Sequence, residues 1–326
     1  MQVEMMNAMM TKQYGGPEVL QMQKVEKPQV QSGELLIRVK ASAATAADTI
    51  LRKGKPYFSR LFVGLRKPKH PIPGTGFAGV IEEVGSNAGA FAPGDRVFGE
   101  TLFGFSANAD FVKVHKDGVV LPMTESMTFA EAATYCDGPL TSLNFLQEIA
   151  GIQAGDRVLV NGAAGSLGTA AVQLAKYFGA EVTAVCSTRN VGLMRSLGAD
   201  HVIDYTREDF SRHKKTFDIV YDTIGKSSFA TARPSLRENG QYITPVFSAG
   251  LLCPMLMHRG RVKFAATGMK KPQELRELLG QLVDIQREGK LKVHIDRQYP
   301  LEKLSEAHRL IDSGHKRGNV VIQHIN

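Results

Sequence analysis

The feature that most constrains the fold is a glycine-bearing turn between a short apolar run and a helical pattern. The run RVLV at residues 157–160 is followed by NGAAGS, and then by apolar residues at three- and four-residue steps as far as Phe178. Ala163, Gly165 and Gly168 occupy the three positions of the GxGxxG dinucleotide fingerprint, with alanine at the first. The segment therefore predicts a strand, a tight turn and a helix, which together begin a dinucleotide-binding unit.

The alternation of strand and helix continues beyond this unit. The next helical pattern runs through Leu193, Met194 and Leu197, and Gly198 ends it. Strands that alternate with helices form a parallel sheet with helices on its faces. A doubly wound dinucleotide fold typically has six such strands. We predict them at residues 157–160, 181–187, 201–205, 217–224, 241–247 and 262–267.

The N-terminal part of the chain has a different pattern. Apolar residues alternate there between Gly and Pro, as do Leu35, Ile37 and Val39, and helical periodicity is weak. We expect a mostly β domain over residues 1–125 and a nucleotide-binding domain over residues 126–270. Two amphipathic helices and the strand GNVVIQ follow in residues 271–326, and we expect this strand to return to the first domain.

Each glycine of the turn has a physical role in binding a diphosphate. Gly165 would let the backbone approach the phosphates, Gly168 would let the helix pack closely on the strand, and the helix N-terminus offers N–H donors. An ordinary tight turn, in which glycine provides only a positive φ, is the alternative. The register of strand, turn and helix favours the phosphate site. Its predicted residues are Ala163, Ala164, Gly165, Ser166, Leu167 and Gly168.

The end of the second strand indicates which nucleotide is bound. NAD-specific folds carry an Asp or Glu about twenty residues beyond the glycines, where it binds the ribose 2′-hydroxyl. Here Ser187, Thr188 and Arg189 offer hydroxyls and a guanidinium to a 2′-phosphate instead. We therefore predict NADPH as the cofactor, with Tyr205 as a further phosphate contact. A solvated arginine and a half-buried core tyrosine are the alternatives.

Composition argues against several other classes of protein. The three cysteines, Cys136, Cys186 and Cys253, lack the spacing of a disulfide framework or a zinc knuckle, and no apolar run is long enough to cross a bilayer. The formal net charge is +8, but the basic residues are dispersed among acids, with only short clusters such as residues 66–69. We expect a cytoplasmic protein with neither a nucleic-acid nor a membrane partner.

Several segments, taken in their order, resemble one family. They are ASAATAADTILRKG, PGTGFAGVIEEVG, GDRVFGE, NGAAGSLGTAAVQLAK and LGADHVIDY, and they extend over nearly the whole chain. The chain resembles the zinc-independent quinone oxidoreductase branch of the medium-chain dehydrogenase/reductase superfamily. This resemblance implies an α/β fold in which a Rossmann doubly wound parallel sheet is inserted in a GroES-like, mostly β catalytic domain.

The resemblance also implies a catalytic site without a metal. Zinc-dependent members carry a Cys in the first of these segments and a His-Glu pair in the second. In this chain Thr75 and Gly76 take the place of the His-Glu pair. The four-cysteine structural zinc loop is missing too, since no cysteine precedes Cys136, and His70 stands outside the ligand position. Without a Lewis acid, reduction of an electron-poor acceptor is easier than oxidation of an alcohol.

The resemblance places three catalytic candidates, Thr45, Asp48 and Tyr57, in the β-rich domain. Thr45 stands where these reductases often have Asn, Asp48 matches their recurrent Asp, and Ile50 replaces a Tyr found in some members. Tyr57 would supply the hydroxyl that Ile50 lacks. Packing or helix capping is the alternative role for each side chain.

Four further candidates lie in the nucleotide-binding domain. Thr141 matches a Thr that faces the nicotinamide in the relatives. Phe247, Ser248 and Thr267 lie at the carboxyl ends of later strands, where a ligand crevice is expected. We therefore include all four among the predicted cofactor contacts.

The expected activity is hydride transfer from nicotinamide C4 to a quinone or to the β-carbon of an α,β-unsaturated carbonyl, held in a cleft between the domains. Negative charge that forms on the acceptor oxygen would need a hydrogen-bond donor, such as Thr45, Tyr57 or a water molecule. An alkenal or enone reductase without quinone activity, or a non-catalytic NADPH-binding sensor or RNA-binding module, is the alternative.

We also expect a homodimer that pairs through edge strands.

Overall fold

The computed structural model describes residues 3–325, apart from the side chains of Phe58, Phe62 and Phe103. Its strands are β1 (Met5–Met10), β2 (Gln21–Glu26), β3 (Glu34–Ala44), β4 (Gly76–Val84), β5 (Arg96–Glu100), β6 (Phe111–His115), β7 (Val119–Pro122), β8 (Arg157–Asn161), β9 (Glu181–Cys186), β10 (His201–Asp204), β11 (Phe217–Asp222), β12 (Leu236–Thr244), β13 (Val262–Phe264), β14 (Ile295–Pro300) and β15 (Asn319–Gln323). Its α-helices are α1 (Ala46–Lys53), α2 (Arg60–Val63), α3 (Phe129–Ala132), α4 (Gly138–Leu143), α5 (Ser166–Tyr177), α6 (Val191–Ser196), α7 (Phe229–Ala232), α8 (Leu252–Met257), α9 (Pro272–Arg287) and α10 (Leu304–Asp312). A π-helical run, Asn144–Ala150, continues α4.

The chain divides into two compact units. The first comprises the chain up to Asp137, Lys271–Gly280 and the residues from Ile295 onward. The second comprises Gly138–Lys270 and Gln281–His294. The first unit extends past residue 125, where the sequence suggested a boundary, because α3 packs against β3, β4 and β15. The second unit therefore interrupts the first along the chain.

The second unit is a doubly wound sheet. Its strand order is β10-β9-β8-β11-β12-β13, and all the pairs are parallel. Counted from β8, this is the order 3-2-1-4-5-6 of the Rossmann fold, with its topological switch point between β8 and β11. The strands are apolar because helices cover both faces of such a sheet, and Leu159, Val185 and Val220 lie together in its core. The predicted fold class is confirmed.

Two strands of this sheet differ by three residues or more from their sequence predictions. Strand β13 has only the first three of the six residues expected at 262–267. The strand expected at residues 241–247 is β12, which begins five residues earlier, at Leu236, and ends at Thr244. The polar residues RENG interrupt the apolar run and hide its beginning. Its pairing register with β11 shifts between Phe217 and Ile219, where a Cβ on Gly240 would lie only 2.8 Å from the carbonyl oxygen of Phe217.

The first unit is built around a mostly antiparallel sheet of order β14-β15-β3-β4-β5-β7, and β6 also pairs with β3. Strands β1 and β2 form a separate antiparallel pair. The C-terminal strand β15 is antiparallel to β3, with Val320 opposite Ala44. The last residues of the chain therefore complete the sheet that the N-terminal residues begin.

Two short helices interrupt this β-rich unit. Helix α1 begins at a capping box formed by Thr45 and Asp48, and it ends at Gly54, which adopts a left-handed conformation with φ of 58°. Helix α2 is a single turn of four residues. Helices of two turns or fewer give too short a periodic pattern to detect in the sequence.

Candidate active site

The glycine turn lies at the carboxyl end of β8, beside the switch point of the sheet. Gly162 takes a φ of 79°, which favours glycine, and Gly165 is the N-cap residue of α5 in an extended conformation. Since its N-cap residue is glycine, α5 has no side-chain cap from that position. The first turn of a helix has N–H groups without intrahelical partners and a partial positive charge, so this N-terminus can bind an anion.

The glycines of the turn differ in what a side chain would meet. A Cβ on Gly168 would lie 2.4 Å from the carbonyl oxygen of Gly162 and 2.5 Å from the Cα of Ala163, so close packing requires glycine there. A Cβ on Gly165 would meet only the carbonyl oxygen of Gly162, at an ordinary 3.5 Å. Neither φ nor packing therefore explains the glycine at 165. The open space beside its Cα fits the approach of a phosphate.

The predicted 2′-phosphate residues follow β9. Ser187 is half-buried, whereas Thr188 and Arg189 are exposed at the carboxyl end of the strand. Tyr205 follows the neighbouring strand β10, is 64% exposed, and donates its backbone N–H to the carbonyl of Cys186 at 3.1 Å. The sheet thus brings the four residues to one edge, and the half-buried core position considered for Tyr205 is not observed.

An acidic residue that the sequence analysis missed lies at the same edge. Asp204 ends β10, and one carboxylate oxygen accepts a hydrogen bond from the Thr188 hydroxyl at 2.5 Å. Hydrogen bonds from Thr188 and Thr206 lower the pKa of Asp204, so it is ionised at neutral pH. Arg207 lies 3.6 Å from it and offsets its charge. With Arg189 the local charge is still positive, as a 2′-phosphate requires.

Thr141 lies on α4, which packs against the start of α5. Ser142 donates its hydroxyl to the carbonyl of Leu167 at 2.8 Å. A Cβ on Gly138 would lie 2.5 Å from the carbonyl oxygen of Ser166, so the two helices meet closely at their N-termini. This packing places the helix that carries Thr141 beside the phosphate turn.

The remaining nucleotide-domain candidates follow β12 and β13. Ser248 is exposed, and Phe247 is half-buried, with its ring centroid 5.4 Å from that of Phe264. Thr267 is buried, and its hydroxyl accepts a hydrogen bond from the Asn144 side chain at 3.0 Å. Thr267 therefore has a structural contact of its own. All three residues lie at the carboxyl edge of the parallel sheet, which is the ligand-binding edge in such folds.

Asp222, which the sequence analysis did not single out, organises this edge. It is fully buried at the end of β11, and its carboxylate accepts hydrogen bonds from the N–H groups of Gly225 at 3.1 Å and Ser227 at 2.9 Å, and from the Tyr242 hydroxyl at 2.9 Å. Asn161, at the end of β8, donates to the same carboxylate at 3.1 Å. Asp222 thereby fixes the loop that faces the phosphate turn across the switch point. In the sequence, the signal that could have identified Asp222 is an acidic residue at the end of an apolar strand.

In the first unit, Thr45 and Asp48 form reciprocal capping bonds. The Thr45 hydroxyl and backbone N–H each donate to the Asp48 carboxylate at 2.9 Å, and the Asp48 N–H donates back to the hydroxyl at 3.1 Å. Both residues are buried. Burial raises the pKa of Asp48 to about 6. The capping role that was the alternative is therefore present, and the Thr45 proton is engaged by Asp48.

Tyr57 lies on the surface. Its side chain is 67% exposed, and the Arg60 guanidinium lies 5.0 Å from its ring centroid. Ile50, which takes the place of a family tyrosine, is also exposed. The structure gives Tyr57 no contact with the Thr45–Asp48 pair among the described residues.

A cluster of titratable groups surrounds the end of β5. Burial, together with the nearby carboxylate of Asp137, raises the pKa of Glu100 to about 8, while the Thr75 side chain opposes the change. Burial also raises the pKa of the Cys136 thiol well above its usual value, with Glu100 and Asp137 adding to the effect. Glu100 is therefore a carboxyl group that holds a proton at neutral pH. In the sequence, the only signal for Glu100 is a lone acid at a strand end.

Comparison with known proteins identifies the family. The alcohol dehydrogenase GroES-like domain matches residues 31–135, and the zinc-binding dehydrogenase model matches residues 197–322. The 2-methylene-furan-3-one reductase of Solanum lycopersicum is 32% identical to this chain over 324 residues, which cover 96% of the chain and 77% of that protein. The chloroplast envelope quinone oxidoreductase homolog of Arabidopsis thaliana is 31% identical over 338 residues, 98% of this chain and 99% of that protein. The chain belongs to the quinone oxidoreductase-like branch of the medium-chain dehydrogenase/reductase superfamily.

Solved structures agree with membership of the medium-chain superfamily. A mycobacterial protein solved in complex with NADPH superposes with a TM-score of 0.83, at 25% identity and with coverage of 98% of this chain and 99% of the other. The resemblance derived from the sequence segments is thus confirmed. As a member of this superfamily, the chain is an oxidoreductase with the Rossmann fold that binds nicotinamide nucleotides.

The positions at which zinc-dependent members of the superfamily bind their metal carry other side chains here. Thr45 caps a helix, and the backbone carbonyl of Thr75 accepts a hydrogen bond from the Thr101 N–H at 3.0 Å. Over the described part of the chain, no group of three or more His, Cys, Asp and Glu side chains is arranged to hold a metal ion. His70 is half-buried, and its ring lies 5.6 Å from that of Phe105.

Proposed function

We propose that this chain is an NADPH-dependent reductase that transfers hydride to a quinone or to an α,β-unsaturated carbonyl without zinc. The observation that carries the proposal is the glycine at 165. The fold does not need it, yet it leaves open space at the N-terminus of α5, beside the switch point of a doubly wound sheet.

The described residues fit NADPH. The turn of residues 163–168 and the N-terminus of α5 would hold the diphosphate, and Ser187, Thr188 and Arg189 would hold the 2′-phosphate. A relative of the same fold was solved with NADPH bound. When bound, the nucleotide supplies the hydride. The chain orients the nucleotide through Asp222, which fixes the loop beyond β11.

Reduction of either acceptor also consumes a proton. The Thr45 hydroxyl is engaged by Asp48, and Tyr57 is exposed beside Arg60. Burial and the charge of Asp137 raise the pKa of Glu100 to about 8, so this carboxyl group can hold that proton near neutral pH. In this proposal Glu100 replaces Thr45 and Tyr57 as the proton source.

The names of the relatives support both acceptor classes. One relative is a quinone oxidoreductase homolog, and the other is a reductase named for 2-methylene-furan-3-one, in which a carbon–carbon double bond is conjugated with a ketone. A reductase restricted to such enones is the second candidate. Zinc independence rests on the side chains present: Thr45, Thr75 and Gly76 offer neither a thiolate nor an imidazole.

The test is NADPH oxidation by the purified chain against a panel of quinones and enones, with NADH in parallel and a chelator in a third series. We expect turnover of at least one class, a preference for NADPH, and no effect of the chelator. Turnover of enones alone would select the second candidate. Absence of nicotinamide nucleotide binding in calorimetry would refute the proposal.

Two further expectations stay predictions. They are a cytoplasmic location and a homodimer that pairs through an edge strand such as β13, which pairs only with β12 within the described chain. One relative is named for the chloroplast envelope, so the location needs its own measurement.

A further inference from the structure

The first unit exposes three large apolar side chains close together along the chain. Tyr57 is 67% exposed, Leu61 71% and Leu65 67%. A 3₁₀ turn, Tyr57–Ser59, leads directly into α2, so Tyr57 and Leu61 lie four residues apart on one side of a continuous helical stretch. Clustered apolar side chains in contact with water indicate an interaction surface.

The same segment is strongly basic. No Asp or Glu occurs between Asp48 and Glu82, while seven Lys and Arg residues do. Arg52 and Lys53 share the carboxylate of Asp312, each at 2.6 Å. Within residues 3–325, no carboxylate lies within 4.0 Å of the side-chain nitrogens of Lys55, Arg66, Lys67 or Lys69. Their charge is therefore available to a partner.

Hydrogen bonds to backbone carbonyls hold in place the loop that carries these cations. The Lys69 N–H donates to the carbonyl of Val63 at 2.7 Å, and the Tyr14 hydroxyl donates to the carbonyl of Gly64. The Arg60 guanidinium lies between two aromatic rings, 4.4 Å from the centroid of Tyr14 and 5.0 Å from that of Tyr57. The loop backbone is thus fixed, so its cations and apolar side chains can act as one preformed surface.

We propose that this basic–apolar surface, formed by Tyr57, Leu61, Leu65, Arg66, Lys67 and Lys69, docks the chain on an anionic lipid bilayer. No helix among residues 3–325 is long and apolar enough to span a membrane, so the chain lies on the bilayer surface. Anionic headgroups attract the cations, and the apolar side chains enter the interface between headgroups and acyl chains. This inference revises the expectation that the chain has no membrane partner.

Exposed leucines favour a bilayer over a nucleic acid. A nucleic acid is bound through contacts of cations with phosphates and through aromatic stacking, to which aliphatic side chains such as Leu61 and Leu65 contribute little. A bilayer offers negative charge and an apolar layer at the same place. Docking is also independent of the proposed reductase activity, because vesicle binding requires no turnover.

The experiment is co-sedimentation of the full chain with vesicles of phosphatidylcholine alone or mixed with phosphatidylglycerol, at low and high salt. We expect binding only to the mixed vesicles, weakened by salt. The variant Arg66→Gln/Lys67→Gln/Lys69→Gln should bind about a hundredfold more weakly, since each basic residue near an anionic surface contributes about fivefold. The variant Leu61→Ser/Leu65→Ser should bind about tenfold more weakly.

The matched control is Arg212→Gln/Lys214→Gln/Lys215→Gln, which removes three cations from a basic cluster of the second unit. It should bind vesicles like the unaltered chain. Equal loss in the two triple variants would show that only net charge matters, and it would overturn the proposal. Failure of the chain to bind the mixed vesicles, or full binding by the leucine variant, would overturn it too; the latter would indicate a soluble polyanion such as RNA. Circular dichroism of each variant shows whether it is folded.

Discussion

At the scale of single residues, the informative positions are those whose residue type is not explained by packing, backbone conformation or capping. A glycine can be such a position when neither its φ nor its packing requires glycine. Gly168 must be glycine because backbone atoms lie within 2.5 Å of a Cβ there. Gly165 has no such reason, and the proposed binding of a phosphate would explain its glycine. Thr45 is the reverse case, because its capping bonds with Asp48 account for its hydroxyl without any substrate.

A valine at position 165 should abolish nucleotide binding without unfolding the chain. The residue has an extended conformation and open space at its Cβ, so Gly165→Val fits the fold while its side chain occupies the phosphate position. We expect NADPH affinity to fall by about a hundredfold or more in calorimetry. Gly280→Val, at another open position, is the control. Unchanged NADPH affinity in Gly165→Val would remove the phosphate turn from the proposal.

Arg189 should determine the preference for NADPH over NADH. Loss of a charge-assisted hydrogen bond to the 2′-phosphate costs about 1.5–3 kcal/mol. Arg189→Gln should therefore weaken NADPH binding by about tenfold to a hundredfold and leave NADH binding unchanged. Arg195→Gln removes a nearby exposed cation from α6 and should change neither affinity. Equal weakening of both nucleotides by Arg189→Gln would contradict the assignment.

At the scale of elements, β8, its turn and α5 are joined by one close helix–strand contact. Helix α9, in contrast, has open space beside one of its glycines. The N-terminal part of α5 packs on the turn so closely that Gly168 has no space for a methyl group. In α9, Gly280 lies in the helix interior with no heavy atom within 4 Å of an added Cβ. The same substitution should therefore have opposite effects at the two sites.

Gly168→Ala should destabilise the chain by about 1–3 kcal/mol, because backbone atoms must shift to admit the methyl group. Gly280→Ala should stabilise it by about 0.5–1 kcal/mol, since alanine reduces the conformational entropy of the unfolded chain and favours a helix. Urea unfolding followed by circular dichroism measures both. A stabilising effect at Gly168 would mean that α5 does not pack on the turn as described.

At the scale of the whole molecule, buried titratable groups couple stability to pH. Burial, with the charge of Asp137, raises the pKa of Glu100 from 4.5 to about 8. Between these two values the folded chain keeps a proton that the unfolded chain has lost, so the free energy of unfolding falls as the pH rises. Burial lowers the pKa of His308 to about 3, which acts in the opposite sense below pH 6.5.

Glu100→Gln should separate these effects, because glutamine is neutral at every pH. Relative to the unaltered chain, the variant should gain stability progressively from about pH 4.5 to pH 8, on the order of 1 kcal/mol or more. The two proteins should have similar stability at pH 4.5. Urea unfolding at a series of pH values gives the comparison. A constant difference across the range would show that Glu100 is not protonated in the folded state.

The fold was largely predictable from local patterns. The strand–helix alternation, the glycine turn and the order of the family segments all depend on residues near one another in sequence. The predictions failed where a pattern was short or interrupted: α1 and α2 have at most eight residues, and RENG hides the beginning of β12. The first compact unit continues past residue 125 through α3, whose contacts with β3, β4 and β15 are distant in sequence.

For the site, the sequence by itself determined the glycine turn and the hydroxyl and guanidinium groups after β9, because each is a local property of a strand end and its loop. Only the tertiary structure decided that Asp204 lies against Thr188, that Asp222 fixes the loop across the switch point, and that Glu100 is half-buried near Asp137. The charge and protonation of these groups depend on neighbours from other strands and on loss of water. Both arise only when the chain folds.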